Sequence, residues 1–108
     1  MIVMNLDHTF SALADPTRRA ILARLALGDA TVGELSAPFP ISGPAISRHL
    51  KVLEEASLIE RQKDGQHRRI RLAPAAMASA AEWIETQRAF WTGSLDRLSE
   101  HLKMGKDQ

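Results

Sequence analysis

Ser47, Arg48 and His49 stand in a row within Gly43-Pro44-Ala45-Ile46-Ser47-Arg48-His49-Leu50-Lys51-Val52-Leu53. A hydroxyl beside an imidazole has the residue types of a nucleophile and its general base. An arginine and a lysine on one helix face have those of a group that holds phosphate and pairs bidentately with guanine. Spacing decides between the two. At about 100° per residue, Ile46, His49, Leu50 and Leu53 share one face, while Pro44, Ser47, Arg48, Lys51 and Glu55 share the opposite one. His49 therefore points to the packed side, away from Ser47, and reads as a boundary histidine that orients the helix. No glycine-rich elbow precedes Ser47. The chain is expected not to be an enzyme.

The remaining chemistry is sparse. Cysteine is absent from the 108 residues, which removes disulfides, thiolate nucleophiles and metal sites that need sulfur. No cofactor is expected. Apolar residues make up 44% and charged residues 25%, the balance of an ordinary globular domain, and one domain spanning 1–108 is expected. No apolar run is long enough to span a bilayer, and residues 1–7 lack the pattern of a secretory signal, so a cytoplasmic protein without a membrane partner is expected. The formal net charge is only +1, but seven Lys/Arg stand against four acids between Ser42 and Leu72.

The elements that must position these groups can be read from periodicity and caps. Leu6, Phe10, Leu13 and Ala14 recur at helical spacing, with Asn5 or Asp7 available as a cap. Asp15-Pro16 stops that helix and starts a second, which Gly28 closes. Thr31 and Glu34 have capping-box spacing for a short third helix that Pro38 must end. Ser42 caps a fourth helix, about 42–56, with Gly43 and Pro44 in its first turn. The period then changes to two. Strands over about 58–63 and 67–72 flank Asp64-Gly65, a two-residue hairpin signal. Pro74 opens a last helix to about Lys103.

That order predicts a mainly α (α+β) fold: four helices, a two-stranded wing and a long C-terminal helix, a winged helix-turn-helix. The fourth helix would enter a DNA major groove, with Ser42, Gly43 and Pro44 allowing close approach and Ser47, Arg48 and Lys51 making contacts. The wing tip would add Lys63, His67, Arg68 and Arg69 along the sugar-phosphate backbone or minor groove. Met77, Ala80, Ile84, Gln87, Trp91, Leu95, Leu98 and Leu102 form a stripe on the last helix, widened by Trp83 and Phe90. With Phe10 from the first helix, Ile84, Phe90, Trp91, Leu95, Leu98 and Leu102 are the candidate dimer interface. Gly93 inside the stripe marks a close helix approach or a kink.

Phe10-Ser11-Ala12-Leu13-Ala14-Asp15-Pro16-Thr17-Arg18-Arg19, Ala45-Ile46-Ser47-Arg48-His49-Leu50-Lys51-Val52-Leu53 and Asp64-Gly65 before a basic strand resemble, in combination, the ArsR (arsenic-resistance/SmtB-like) family of bacterial transcription repressors. The resemblance covers about Leu6 to Leu102. It implies a homodimer that binds double-stranded operator DNA, with the helix from Ser42 reading the groove and the hairpin as the wing. Dimer symmetry then implies half-sites roughly ten base pairs apart in an inverted repeat. Many family members sense metal through Cys-x-Cys before the recognition helix, where this chain has Thr31-Val32-Gly33-Glu34-Leu35-Ser36. Others use Asp, His and Glu along the terminal helix, which here offers Glu82, Glu85, Asp96, Glu100 and His101 without a second His at the required spacing. His8 and His101 alone make a weak site. The resemblance thus implies a member without the usual metal switch, with a metal-responsive repressor or a winged-helix protein-interaction module without DNA binding as the alternatives, and the residues name no small-molecule effector.

Overall fold

Local capping sets most element boundaries. The computed structural model describes residues 6–106, apart from the side chains of Asp64, His67 and Lys106, so the candidate cap Asn5 lies outside the described residues. Helix α1 (Leu6–Leu13) is followed by an extended Asp15, whose carboxylate accepts the backbone N–H groups of Thr17 (2.8 Å) and Arg18 (3.1 Å). Pro16, with no N–H to lose, opens α2 (Pro16–Leu25). Thr31 and Glu34 form the capping box of α3 (Val32–Ser36). The Thr31 Oγ1 accepts from the Glu34 N–H and the Glu34 Oε1 accepts from the Thr31 N–H, both at 3.2 Å. Ser42 caps α4 (Gly43–Glu55) by accepting the Ala45 N–H at 3.2 Å.

Helix α4 ends in a Schellman motif. The N–H of Leu58 donates to the Leu53 carbonyl (3.0 Å) and that of Ser57 to the Glu54 carbonyl (2.9 Å), with Leu53 and Leu58 both buried. Ser57 takes the left-handed position, φ 60°, that glycine usually fills. This turn aims the chain into β2 (Ile59–Asp64), which pairs antiparallel with β3 (His67–Leu72) from Ile59 opposite Leu72 to Asp64 opposite His67.

Two sequence expectations are corrected here. The hairpin turn is Gly65-Gln66 rather than Asp64-Gly65, because Asp64 still pairs with His67 and the positive φ (62°) falls on Gly65. The sheet has three strands rather than two: β1 (Ala30–Thr31) pairs with the other side of β3, in the order β1-β3-β2. Two residues are too few to show a period of two, so periodicity could not reveal that strand.

The core gathers one face from each element. Ala12, Ile21, Leu25, Leu35, Ile46, Leu50, Leu53, Leu58 and Ile70 are all buried. Helix α5 (Pro74–Lys106) joins this core only at its start, through Ala76 and Ala80. At about 1.5 Å per residue its 33 residues make a rod of roughly 50 Å, which accounts for the 74 Å long axis of the molecule. Phe10 of α1 packs edge-to-face against Trp83 of α5, with ring centroids 5.6 Å apart.

Candidate nucleic-acid interface

Helix α4 divides its side chains as its spacing predicts. Ile46, Leu50 and Leu53 are fully buried, and His49 is partly buried at the seam with α2. Ser42, Gly43, Pro44, Ser47, Arg48 and Lys51 are exposed together on the outer side. A Cβ added to Gly43 would meet nothing within 4 Å, so nothing in the protomer requires a glycine there. The hydroxyl of Ser42 is committed as an acceptor to its cap but keeps a proton to donate.

Ion pairing separates eight of the cations into two groups. Arg24 meets Glu34 at 3.5 Å, Arg61 meets Glu54 at 3.1 Å, Arg71 meets Glu60 at 2.7 Å and Arg88 meets Glu85 at 2.6 Å. Arg48, Lys51, Lys63 and Arg68, by contrast, make no hydrogen bond or ion pair with another described residue, and all four are exposed. Two lie on the outer face of α4. The other two sit directly opposite each other across the hairpin. With Arg61 and Gln62 they line a cleft of about 230 Å³ on the wing.

The other wing residues fall out differently. Arg69 lies opposite Thr31 in the sheet and close enough to Glu34 to help hold its carboxyl below the usual range. The larger cause of that lowering is the Thr31 backbone N–H, followed by the Thr31 hydroxyl. Arg69 therefore stands on the central strand between Thr31 and Gln62, next to the Lys63–Arg68 pair in register. The imidazole of His67 lies outside the described side chains.

Sequence reasoning passed over Arg18, Arg61 and Gln62. Arg18 reaches from α2 to His49 of α4, with its Nη1 3.2 Å from Nδ1. The Asp-Pro-Thr-Arg sequence was a visible signal, but its arginine gave no hint of a partner 31 residues away. Among the described residues no three His, Asp or Glu side chains converge as a metal site would require. No helix among them is long and apolar enough to cross a membrane.

The candidate interface of α5 is a separate surface. Ile84, Phe90, Trp91, Leu95, Leu98 and Leu102 are all exposed, Phe90 and Trp91 at 62% and 60%. Phe10 is half-buried through its contact with Trp83. A Cβ on Gly93 would reach the Arg97 guanidinium at 3.5 Å, an ordinary contact, so the protomer itself does not require this glycine.

A capped helix presented by a preceding short helix, followed by an antiparallel hairpin, defines a winged helix-turn-helix module. A model of a helix-turn-helix domain matches residues 13–62. The HTH-type transcriptional regulator Rv2034 of Mycobacterium tuberculosis is 44% identical over 89 residues, covering 82% of this chain and 80% of that protein. The transcriptional repressor SdpR of Bacillus subtilis is 37% identical over 79 residues, covering 73% and 88%. An ArsR-like transcriptional regulator from Rhodococcus sp. RHA1 has the same fold, with TM-score 0.75, 33% identity and coverage of 88% and 90%. The chain belongs to the ArsR family of winged helix-turn-helix transcription regulators.

Proposed function

We propose that residues 1–108 act as one DNA-binding unit, a homodimeric repressor that binds an inverted-repeat operator and does so without a metal switch. The observation that carries this reading is the set of exposed cations Arg48, Lys51, Lys63 and Arg68, which meet no partner among the described residues, in a fold that pairs Arg24, Arg61, Arg71 and Arg88 with acids. Leaving cations unmatched beside a small-residue helix start suits an anionic partner. In this reading Ser47 and Arg48 meet base edges, Lys51 meets phosphate, and Gly43 and Pro44 allow the helix to sit low in the groove. Lys63, Arg68 and His67 follow the adjacent backbone, with Arg69 adding charge from behind the tip.

The second copy covers α5. Ile84, Gln87 and Trp91 repeat eleven residues later as Leu95, Leu98 and Leu102. An eleven-residue repeat has about 3.67 residues per turn, so the stripe stays on one side of a nearly straight helix. Gly93, not needed by the protomer, would let two such helices approach closely. The metal-free part rests on the residues themselves: Val32–Ser36 offers no thiol, and α5 offers His101 alone among its carboxylates.

The test is selection of duplex DNA from a random pool by the full-length protein, followed by affinity measurements over a range of salt. Lys51, Lys63 and Arg68 of each protomer, six cations meeting phosphate in the dimer, would give a log–log salt slope of about −5, and the selected sites should be inverted repeats with centres roughly ten base pairs apart. A slope near zero, or no selected sequence, defeats the DNA-binding reading. Zinc, nickel and arsenite should leave the affinity unchanged, and release of DNA by any of them defeats the metal-free part.

A further inference from the structure

Arg18 joins parts of the fold that the DNA reading treats separately. Its Nε donates to the carbonyl of Ala12 (2.7 Å) and its Nη2 to that of Ser11 (3.0 Å), among the last carbonyls of α1. Its Nη1 lies 3.2 Å from Nδ1 of His49 on α4. A guanidinium carries only donors, so this hydrogen bond needs a lone pair on Nδ1. An accepting Nδ1 corresponds to the tautomer with its ring proton on Nε2. On the far side of α1, Phe10 packs on Trp83 of α5. Arg18 is therefore a polar link between the α1–α5 layer and the recognition helix.

The same Nδ1 has a competing neighbour. The Oδ1 of Asp15 stands 3.9 Å away and already accepts the backbone N–H groups of Thr17 and Arg18. A neutral imidazole accepts from Arg18. A protonated one cannot, is repelled by the guanidinium, and has a proton to give to Asp15. His49 keeps only 20% of its side-chain surface exposed, so the site is shielded without being sealed. Arg48, on the same helix, lines the adjoining groove of about 200 Å³ with Arg18, and its charge adds to the repulsion. Other charged groups around α4 are His8 and Glu55, which share a depression on the α1 side, and Glu54, which is paired with Arg61 of β2.

Resting on the DNA-binding reading above, we propose that Arg18 is a positioning residue for the recognition helix. Through neutral His49 it sets α4 against α1, and protonation of His49 transfers the imidazole to Asp15 and loosens that setting. The DNA-bound form then favours neutral His49, so binding expels a proton and affinity falls on acidification. No residue that touches DNA needs to titrate for this to happen.

The experiment uses the duplex selected by the wild-type protein and measures its affinity at about pH 8 and about pH 5.5. Wild type is compared with His49→Gln, which keeps an oxygen that accepts from Arg18 but cannot titrate, and with Arg18→Met, which keeps the stem and loses every donor. His8, His67 and His101 are present in all three, so their effects cancel in the comparison. Wild type should lose about tenfold more affinity than His49→Gln on acidification. Arg18→Met should bind about tenfold more weakly than wild type at the higher pH, while dimer mass and circular dichroism stay unchanged. Parallel pH curves for wild type and His49→Gln, or full affinity in Arg18→Met, overturn the proposal. If Arg18→Met does not fold, the His49→Gln comparison decides alone. The ring's nitrogen-15 shifts give an independent readout: a proton on Nδ1 at the higher pH also overturns it. A wild-type protein that selects no duplex at all brings down the DNA-binding reading and this inference together, whereas parallel curves with intact binding bring down only this one.

Discussion

Leu50 and Arg48 stand two residues apart on α4, and their truncation to alanine should have opposite consequences. Leu50 is fully buried, so Leu50→Ala removes three carbons from the core at about 0.8 kcal/mol each, a floor near 2.5 kcal/mol. The cavity left behind raises the loss to roughly 3–5 kcal/mol. For a chain of this size that is a fall in melting temperature of about 12 °C or more. Arg48 is exposed and makes no hydrogen bond or ion pair with another described residue, so Arg48→Ala should change stability by less than about 0.5 kcal/mol. Its loss should appear instead as about 1–3 kcal/mol in operator affinity. If Arg48 pairs with a base, that loss shrinks on an operator altered at one position; if it holds phosphate, the loss is the same on every sequence and the salt slope falls by about 1. The assays are thermal unfolding by circular dichroism at fixed protein concentration, because the proposed dimerisation would make the midpoint concentration-dependent, and anisotropy titration of labelled duplex. Equal destabilisation by both substitutions, or an unchanged midpoint for Leu50→Ala, would refute the division of α4 into a packing face and a reading face.

Other outcomes follow from single features. Ser57→Gly should raise stability by about 0.5–1 kcal/mol in denaturant unfolding, since glycine removes the left-handed penalty at φ 60° and gives back part of it as chain entropy. Leu98→Glu, placed in the middle of the exposed α5 stripe, should yield monomers in sedimentation at micromolar concentration without loss of the wing fold; a persistent dimer would move the interface elsewhere. Glu34 is held below its ordinary value by Thr31, so the stability it contributes is present above the usual glutamate range and is lost as pH falls through its lowered value. Glu34→Gln keeps a partner for the capping box and should flatten that part of the acid unfolding curve.

Much of this molecule was legible because its signals are local. The stop and restart at Asp15-Pro16, the Thr31–Glu34 box, the Ser42 cap and the separation of Ile46, Leu50 and Leu53 from Ser47, Arg48 and Lys51 each depend on residues within about one or two helical turns. The hairpin was legible too, but its turn moved by one residue, because Asp-Gly and Gly-Gln both offer a glycine at the bend and only pairing chooses the register. Strand β1 was not legible, since two residues acquire strand geometry only when β3 is already there to accept them.

By itself, then, the amino-acid sequence determined the order of the elements, the two faces of α4 and the apolar stripe of α5, because periodicity and caps act along a few residues of chain. The tertiary structure alone decided which cations remain available. It spent Arg61, Arg71 and Arg24 on acids seven to eleven residues away and left Arg48, Lys51, Lys63 and Arg68 facing outward. It also placed Arg18 between the end of α1 and His49, across 31 residues. A side chain's partner is set by where packing brings distant segments together, and the spacing of residues along the chain carries no record of that.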